Sequence, residues 1–377
     1  MDYRKKISLG FCALLSFSQA FCFDWGGMLT NNSRSKTNAK GDYYFDQGNT
    51  ASLWIKAPIK GNDSNYFIAE GIYQFENDMN EPSATHYLDL TLFKSFFSKD
   101  TEKGSLELSI GRFANADLTG IIFYQNADGA LLRYRTQGFS VSAYAAYTGF
   151  LNGNTVKMIN AKDYVGVDPD LFYAFADKYI VANAAITFPN LFGSHTLSGQ
   201  AMATFRTWEN LYNRAYGTLD ITGPIWSSIY YRVNSTIGIK WYDDESPDFG
   251  NLTMATLTIF HSALTTVSVC GVYASEDFIG FTHNPALNSY NEPDYTNLFK
   301  IGVAMTAKPI EVLLLTGSLD GAFDIGNGSR QGVQYKFGID FMMFSDFMIG
   351  ASFGQYYDLN STDIDRTVIQ VKATLAF

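Results

Sequence analysis

The sequence predicts an all-β chain: a transmembrane antiparallel up-and-down β-barrel of about 18 strands, with 16 as the alternative. Three observations carry this. Segments in which apolar and polar residues alternate recur through the chain, the connections between them are short and long by turns, and the final segment, 366–377, keeps the alternation up to an aromatic last residue. Alternation with period two marks a strand whose two faces meet different surroundings.

Composition narrows the options. Of 377 residues, 16% are aromatic and only 17% are Asp, Glu, Lys or Arg, so polar and apolar residues are interleaved rather than segregated. No apolar run reaches the roughly 18–20 residues that a membrane helix needs, and helical periodicity is nearly absent beyond the N-terminus. The net charge of −10 excludes nucleic acid as a partner.

Residues 1–20 read as a cleavable signal peptide. Arg4, Lys5 and Lys6 precede an apolar core at 7–17, and Ser18-Gln19-Ala20 supplies the small-x-small cleavage site. The barrel then occupies 21–377, with a net charge of −12 from 24 basic and 36 acidic residues. Outside the signal only Cys22 and Cys270 remain; the exported compartment permits a disulfide between them, but no framework requires one. Gln19 and Phe21 are the wrong residues for a lipidation signal at Cys22.

Taken in order, residues 23–30 give a first strand, followed by a connection through residue 48, and further strands run from Ala51 to the end. The clearest is 229–242: Ile229, Tyr231, Val233, Ile237, Ile239 and Trp241 oppose Tyr230, Arg232, Asn234, Thr236, Gly238 and Lys240. Segments 139–148 and 333–341 repeat the pattern. Tight turns are expected near 61–63, 98–104, 137–138, 189–193, Gly223-Pro224, 263–265, Lys308-Pro309 and 345–346. Longer loops are expected at 77–84, 114–127, 150–177, 208–214, 243–250, 277–295, 321–331 and 359–364. Short turns on one rim and long loops on the other are how an up-and-down membrane barrel is strung. Segments 115–125 and 309–320 are ambiguous, which keeps 16 strands open.

In hydrocarbon every backbone N–H and C=O needs a partner, so a chain of strands must close on itself. Phe377 is therefore the expected closure, and the lumen of a barrel this wide holds water. Trp54, Tyr73, Phe75, Trp241, Tyr242, Tyr356 and Tyr357 fall near strand ends, where interfacial girdles sit.

The last strand, with apolar residues at alternate positions before a final Phe, resembles the closing strand of bacterial outer-membrane barrels. The stretch from Gly111-Arg112-Phe113 to Asp128-Gly129-Ala130 is similar to one common in porins, where a strand ends in Gly-Arg and the next begins with Asp-Gly. The chain as a whole resembles an outer-membrane porin. That resemblance implies a bacterial outer-membrane location, outer-membrane lipid and small hydrophilic solutes as partners, recognition of the C-terminal strand by the barrel-assembly machinery, and a homotrimer as one assembly. No cofactor or metal is implied.

A pore selects through wall charges and any loop folded into it. The pore-lining candidates are Arg112, Arg133, Arg135, Arg206, Arg232, Lys240, Lys336 and Lys372, with Glu70 and Asp340 against them. The longest loop, 150–177, is the expected constriction, with Asp163, Asp168, Asp170, Phe172 and Tyr173 as its candidates, because aromatics there must pack on something. Loop 277–295 is a second candidate for a lid. Four histidines, His86, His195, His261 and His283, offer no catalytic set, so the protein is not read as an enzyme. Rival readings are an occluded barrel serving as an adhesin or structural protein, or a transporter of hydrophobic substrates. Inward aromatics would favour occlusion, and Tyr144 and Tyr230 are the main ones expected.

Overall fold

The computed structural model describes residues 23–37, 40–59, 62–78, 84–156, 158–159, 171–207, 212–242, 246–262, 264–282, 297–326, 332–359 and 364–377. The expected signal peptide lies outside them. Eighteen strands follow in order: β1 (Asp24–Thr37), β2 (Tyr43–Ile59), β3 (Asn62–Asp78), β4 (Ala84–Thr101), β5 (Gly104–Ala116), β6 (Tyr124–Arg135), β7 (Ser140–Tyr147), β8 (Tyr179–Phe192), β9 (His195–Arg206), β10 (Asn213–Trp226), β11 (Ile229–Trp241), β12 (Asp248–Ser262), β13 (Thr265–Ala274), β14 (Leu298–Ile310), β15 (Leu313–Asp324), β16 (Gly332–Met342), β17 (Phe347–Asp358) and β18 (Ile364–Ala376). Each strand pairs antiparallel with the next, and β1 pairs with β18 from Met28↔Ala376 to Thr37↔Thr367, so the sheet is a closed ring. The count is 18, and the 16-strand alternative falls.

Cross-strand partners share a face, which lets the inward surface be traced around the barrel. From the buried Asn234, the registers carry one face through Asp220, Ser198, Thr187 and Ser140 in one direction and through Met254, Val272 and Lys300 in the other. The opposite face is an apolar belt: Leu53, Leu132, Ile186, Leu219, Ile237, Ile301, Leu319, Phe337 and Ile369 are all exposed on it. Burying a polar face inside and exposing an apolar one is what lipid outside and water inside require.

Several expected boundaries shift. Gly223 and Pro224 lie within β10 and the turn is at 227–228; Lys308 and Pro309 lie within β14 and the turn is at 311–312. Both prolines sit at register irregularities, Pro224/Trp226 and Ala307/Ile310, where a residue without an N–H is tolerated in a strand. β1 and β2 are longer than expected: β2 starts at Tyr43 rather than beyond residue 48, and Asp46 pairs with Arg34 at 2.8 Å and Lys36 at 2.7 Å. Polar residues on both faces conceal these upper turns of strand. The ambiguous stretches resolve as a loop at 117–123 and strand β15.

The buried apolar core is inside the barrel and off-centre. It joins Phe113, Phe123, Tyr144, Tyr179, Met202, Tyr216 and Leu252 of the wall or its edges to Ile122, Leu151, Met158, Phe278 and Phe281 from three long loops. The flank formed by β14–β18 and β1–β3 contributes, apart from glycines and among the described residues, only Leu298, Ala322 and Ser52 to the buried set.

Candidate functional site

Three loop segments fold inward onto one flank; among the described residues, none folds onto the other, the open flank. In the 117–123 segment, the Asp117 carboxylate accepts from Thr119 N, Thr119 Oγ1, Ile122 N and Phe123 N, at 2.8, 2.5, 3.1 and 3.0 Å. These bonds turn the chain so that Ile121, Ile122 and Phe123 point into the core. Burial pushes the Asp117 carboxyl above its ordinary value, and the donors around it pull the other way. The Ile122 carbonyl then accepts from Phe281 N and Thr282 N, and Ile159 N donates to Phe281 O, so all three loops share one backbone network.

Arginines of the wall hold this network through carbonyls. Arg232 Nε donates to Asp220 at 2.6 Å and its Nη2 to Leu118 O; Arg214 Nη2 donates to Ile159 O at 2.7 Å. Arg214 was not among the sequence candidates, although it belongs to an inward row with Thr218 and Asp220. The apolar runs Ile121-Ile122-Phe123 and Phe278-Ile279-Gly280-Phe281 inside otherwise polar connections were the available signal that these loops are buried.

Arg112 occupies a different position. The β4–β5 ladder ends at Phe93↔Arg112, although β4 continues to Ala84 and β5 to Ala116. Gly111, at φ 119°, turns β5 at this point; a Cβ there would lie 2.0 Å from the Phe93 carbonyl oxygen. The chain at 150–154 and 172–176 fills the gap: Gly153 N donates to Ala174 O, Leu88 N to Phe172 O, and Asn152 Nδ2 to Leu88 O. Arg112 closes the seam with both Asp128 oxygens at 2.9 and 2.8 Å, Leu90 O at 3.1 Å and Phe150 O at 2.6 Å, with Asp89 3.7 Å away. It is a buried strut in the wall and not a free cation in the lumen.

Of the other sequence candidates, the registers put Glu70, Arg133, Arg135, Arg206, Arg232, Lys240, Lys336, Asp340 and Lys372 on the inward face. Arg133 and Arg135 both pair with Glu107, at 3.4 and 3.3 Å, and Lys240 pairs with Asp248 at 3.1 Å. Arg206 lies 4.7 Å over the Tyr242 ring, and Glu70 accepts from Thr91 Oγ1 at 2.9 Å. Lys336 and Lys372 are exposed on the open flank and, among the described residues, form no ion pair. Neighbouring inward positions there are Gly338, Gly350, Ser352 and Gly354, which leave the wall low.

The expected constriction candidates divide. Asp163, Asp168 and Asp170 lie outside the described residues. Phe172 packs its ring 6.5 Å from Tyr73, on the outward face, and Tyr173 donates from its hydroxyl to Phe150 O beside Arg112. Both belong to the wall seam rather than to a bar across the lumen. Tyr144 is buried in the core, whereas Tyr230 is at the turn rim, edge-on to Phe260. Phe377 and Gly27 exchange both backbone hydrogen bonds, at 2.9 and 3.0 Å, where the ring closes.

Against known proteins, the sequence matches no family model and no curated relative. The fold matches solved structures over nearly its whole length. Similar ones include Pseudomonas aeruginosa OccK5 (OpdH), with a TM-score of 0.63 at 14% identity over 94% of this chain and 98% of that one. P. aeruginosa OpdQ gives 0.62 at 12% over 94% and 99%. P. aeruginosa OccK2 (OpdF), solved in complex with glucuronate, gives 0.60 at 9% over 94% and 98%. At these identities the likeness is one of fold: a closed, 18-stranded antiparallel β-barrel.

Proposed function

We propose that this chain is a bacterial outer-membrane channel through which small hydrophilic solutes diffuse, with a preference for those carrying a carboxylate. The observation that carries the reading is the open flank: a low wall of glycine and serine with the exposed ammonium groups of Lys336 and Lys372, which form no ion pair among the described residues, facing loops pinned to the opposite side. Fixed wall charges of one sign concentrate solutes of the other. The glucuronate bound by OccK2 is a solute of this class. Export through a signal peptide at 1–20, assembly through the strand ending in Phe377, and the absence of catalysis belong to the same proposal. A homotrimer would use part of the apolar belt.

The buried Phe123, Phe278 and Phe281 favour a second reading, a barrel occluded by its loops and used as a surface or structural protein. One experiment separates the two. Single-channel recording of the refolded protein in planar bilayers, with reversal potential in a salt gradient, should give discrete open steps and anion preference. Silence from protein shown to be folded by circular dichroism would sink the channel.

A further inference from the structure

We propose that the Arg214 guanidinium is the centre of a buried site for a small monovalent anion of the halide class, built by β8, β9, β10 and the 278–282 loop, apart from the solute path. Arg214 is 1% exposed. One nitrogen, Nη2, donates to Ile159 O, and the Phe281 ring lies 5.5 Å from the guanidinium carbon. Among the described residues Nε and Nη1 have no hydrogen-bond partner at normal distance, and no carboxylate is within ion-pair distance. Arginine does not shed its proton in a protein, so burial leaves a full charge to be balanced.

Among the described residues the guanidinium is surrounded by hydroxyl groups, with no carboxylate in contact with it. Thr204 is the cross-strand partner of Arg214, is fully buried and has no partner for its hydroxyl. The Tyr179 hydroxyl, also fully buried, lies close enough to interact with the Arg214 guanidinium and is in the field of Arg206 and Asp177. Asp117 is the other acid in reach of this region, and its oxygens are held by four donors of its own loop and make no ion pair with Arg214. A water molecule would satisfy the N–H groups but leave the charge; an anion satisfies both. Because Ile159 O holds Arg214 while Ile159 N holds Phe281 O, the ion would clamp two loops to the wall.

The test uses the full-length protein in detergent, with sodium chloride, bromide or gluconate at equal ionic strength. Chloride and bromide should raise the thermal midpoint saturably above that in gluconate. T204V and Y179F keep the Ile159 contact and should each weaken half-saturation by bromide roughly three- to tenfold, the worth of one hydrogen bond. R214M, if it folds, should not respond at all; if it does not fold, the two hydroxyl variants decide. Crystals grown in bromide should show an anomalous peak at Arg214. Equal midpoints in all three salts overturn the proposal, and so does a peak without anion-specific stabilisation, which would be an adventitious ion only.

Discussion

Gly27 and Phe377 lock one end of the seam between the first and last strands, next to the Met28↔Ala376 pair. The amide of each donates to the carbonyl of the other, and the Phe377 ring lies over the glycine: a Cβ on Gly27 would sit 2.5 Å from its Cζ and 2.6 Å from Ser52 O. The ring also meets Trp25 edge-on at 6.5 Å. A side chain at 27 must therefore push the closing residue off its partner. G27V should destabilise the folded barrel by about 1–3 kcal/mol, the usual cost of overpacking. On the outward face, Gly217 has nothing within 4 Å of its missing Cβ, so G217A should be nearly silent. Heat-modifiable mobility on gels measures both; equal losses would refute the role of the contact.

Why closure was legible from sequence while the loops were not has a physical cause. A strand between lipid and water must alternate, so 229–241 or 366–377 declare both their secondary structure and their faces. The inward row Arg232, Lys240, Lys336 and Lys372 follows from that parity alone. Loop residues carry no such period. Whether Phe172 and Tyr173 cross the lumen or seal a seam depends on the β4–β5 ladder ending at Phe93↔Arg112, a tertiary event marked in sequence only by Gly111. Likewise Ile121 to Phe123 look like part of an ambiguous strand until Asp117 is seen gathering the amides of Ile122 and Phe123, and Thr119 that of Ile121.

Arg112 is expected to matter more to the wall than to conduction. Removing it leaves the buried Asp89 and the partly buried Asp128 without their cation and frees the carbonyls of Leu90 and Phe150. Breaking a buried pair from one side costs about 3–5 kcal/mol, so R112M should lower the thermal midpoint sharply. R112K keeps the charge but not the planar fork and should recover only part of it. The same variants should lengthen current flicker in bilayers, because the 150–154 and 172–176 segments lose their anchor. A stable, quiet R112M would show that the seam holds without the strut.

Asp117 gives a prediction in pH. Its folded-state pKa is raised, so the folded protein binds this proton more tightly than the unfolded chain does. The linked stability is full below the unfolded value, about 3.9, and is lost as pH rises through the folded value. Asn at this position cannot titrate. The midpoint of wild type relative to D117N should therefore improve as pH falls from neutral toward the carboxylate range. A difference that stays flat, or moves the other way, would mean that the four donors outweigh burial and hold the carboxylate charged.

Selectivity should follow the two unpaired lysines and not the paired ones. Lys336 and Lys372 face the open flank with no ion pair among the described residues, whereas Lys240 is 3.1 Å from Asp248 and packs over the Tyr212 ring at 5.3 Å. A paired charge contributes little net field at a distance; an unpaired one acts over roughly a Debye length, about 10 Å at 0.1 M salt. K336E/K372E should therefore shift the reversal potential toward cations and slow carboxylate uptake into liposomes, with conductance changing less than selectivity. K240Q should shift it little. Because the effect is screened, it should be largest at low salt and shrink as ionic strength rises. If K240Q moved selectivity as far as the double reversal did, the solute path would lie against the loop-bearing flank instead, and the open wall of β14–β18 would not be where solutes pass.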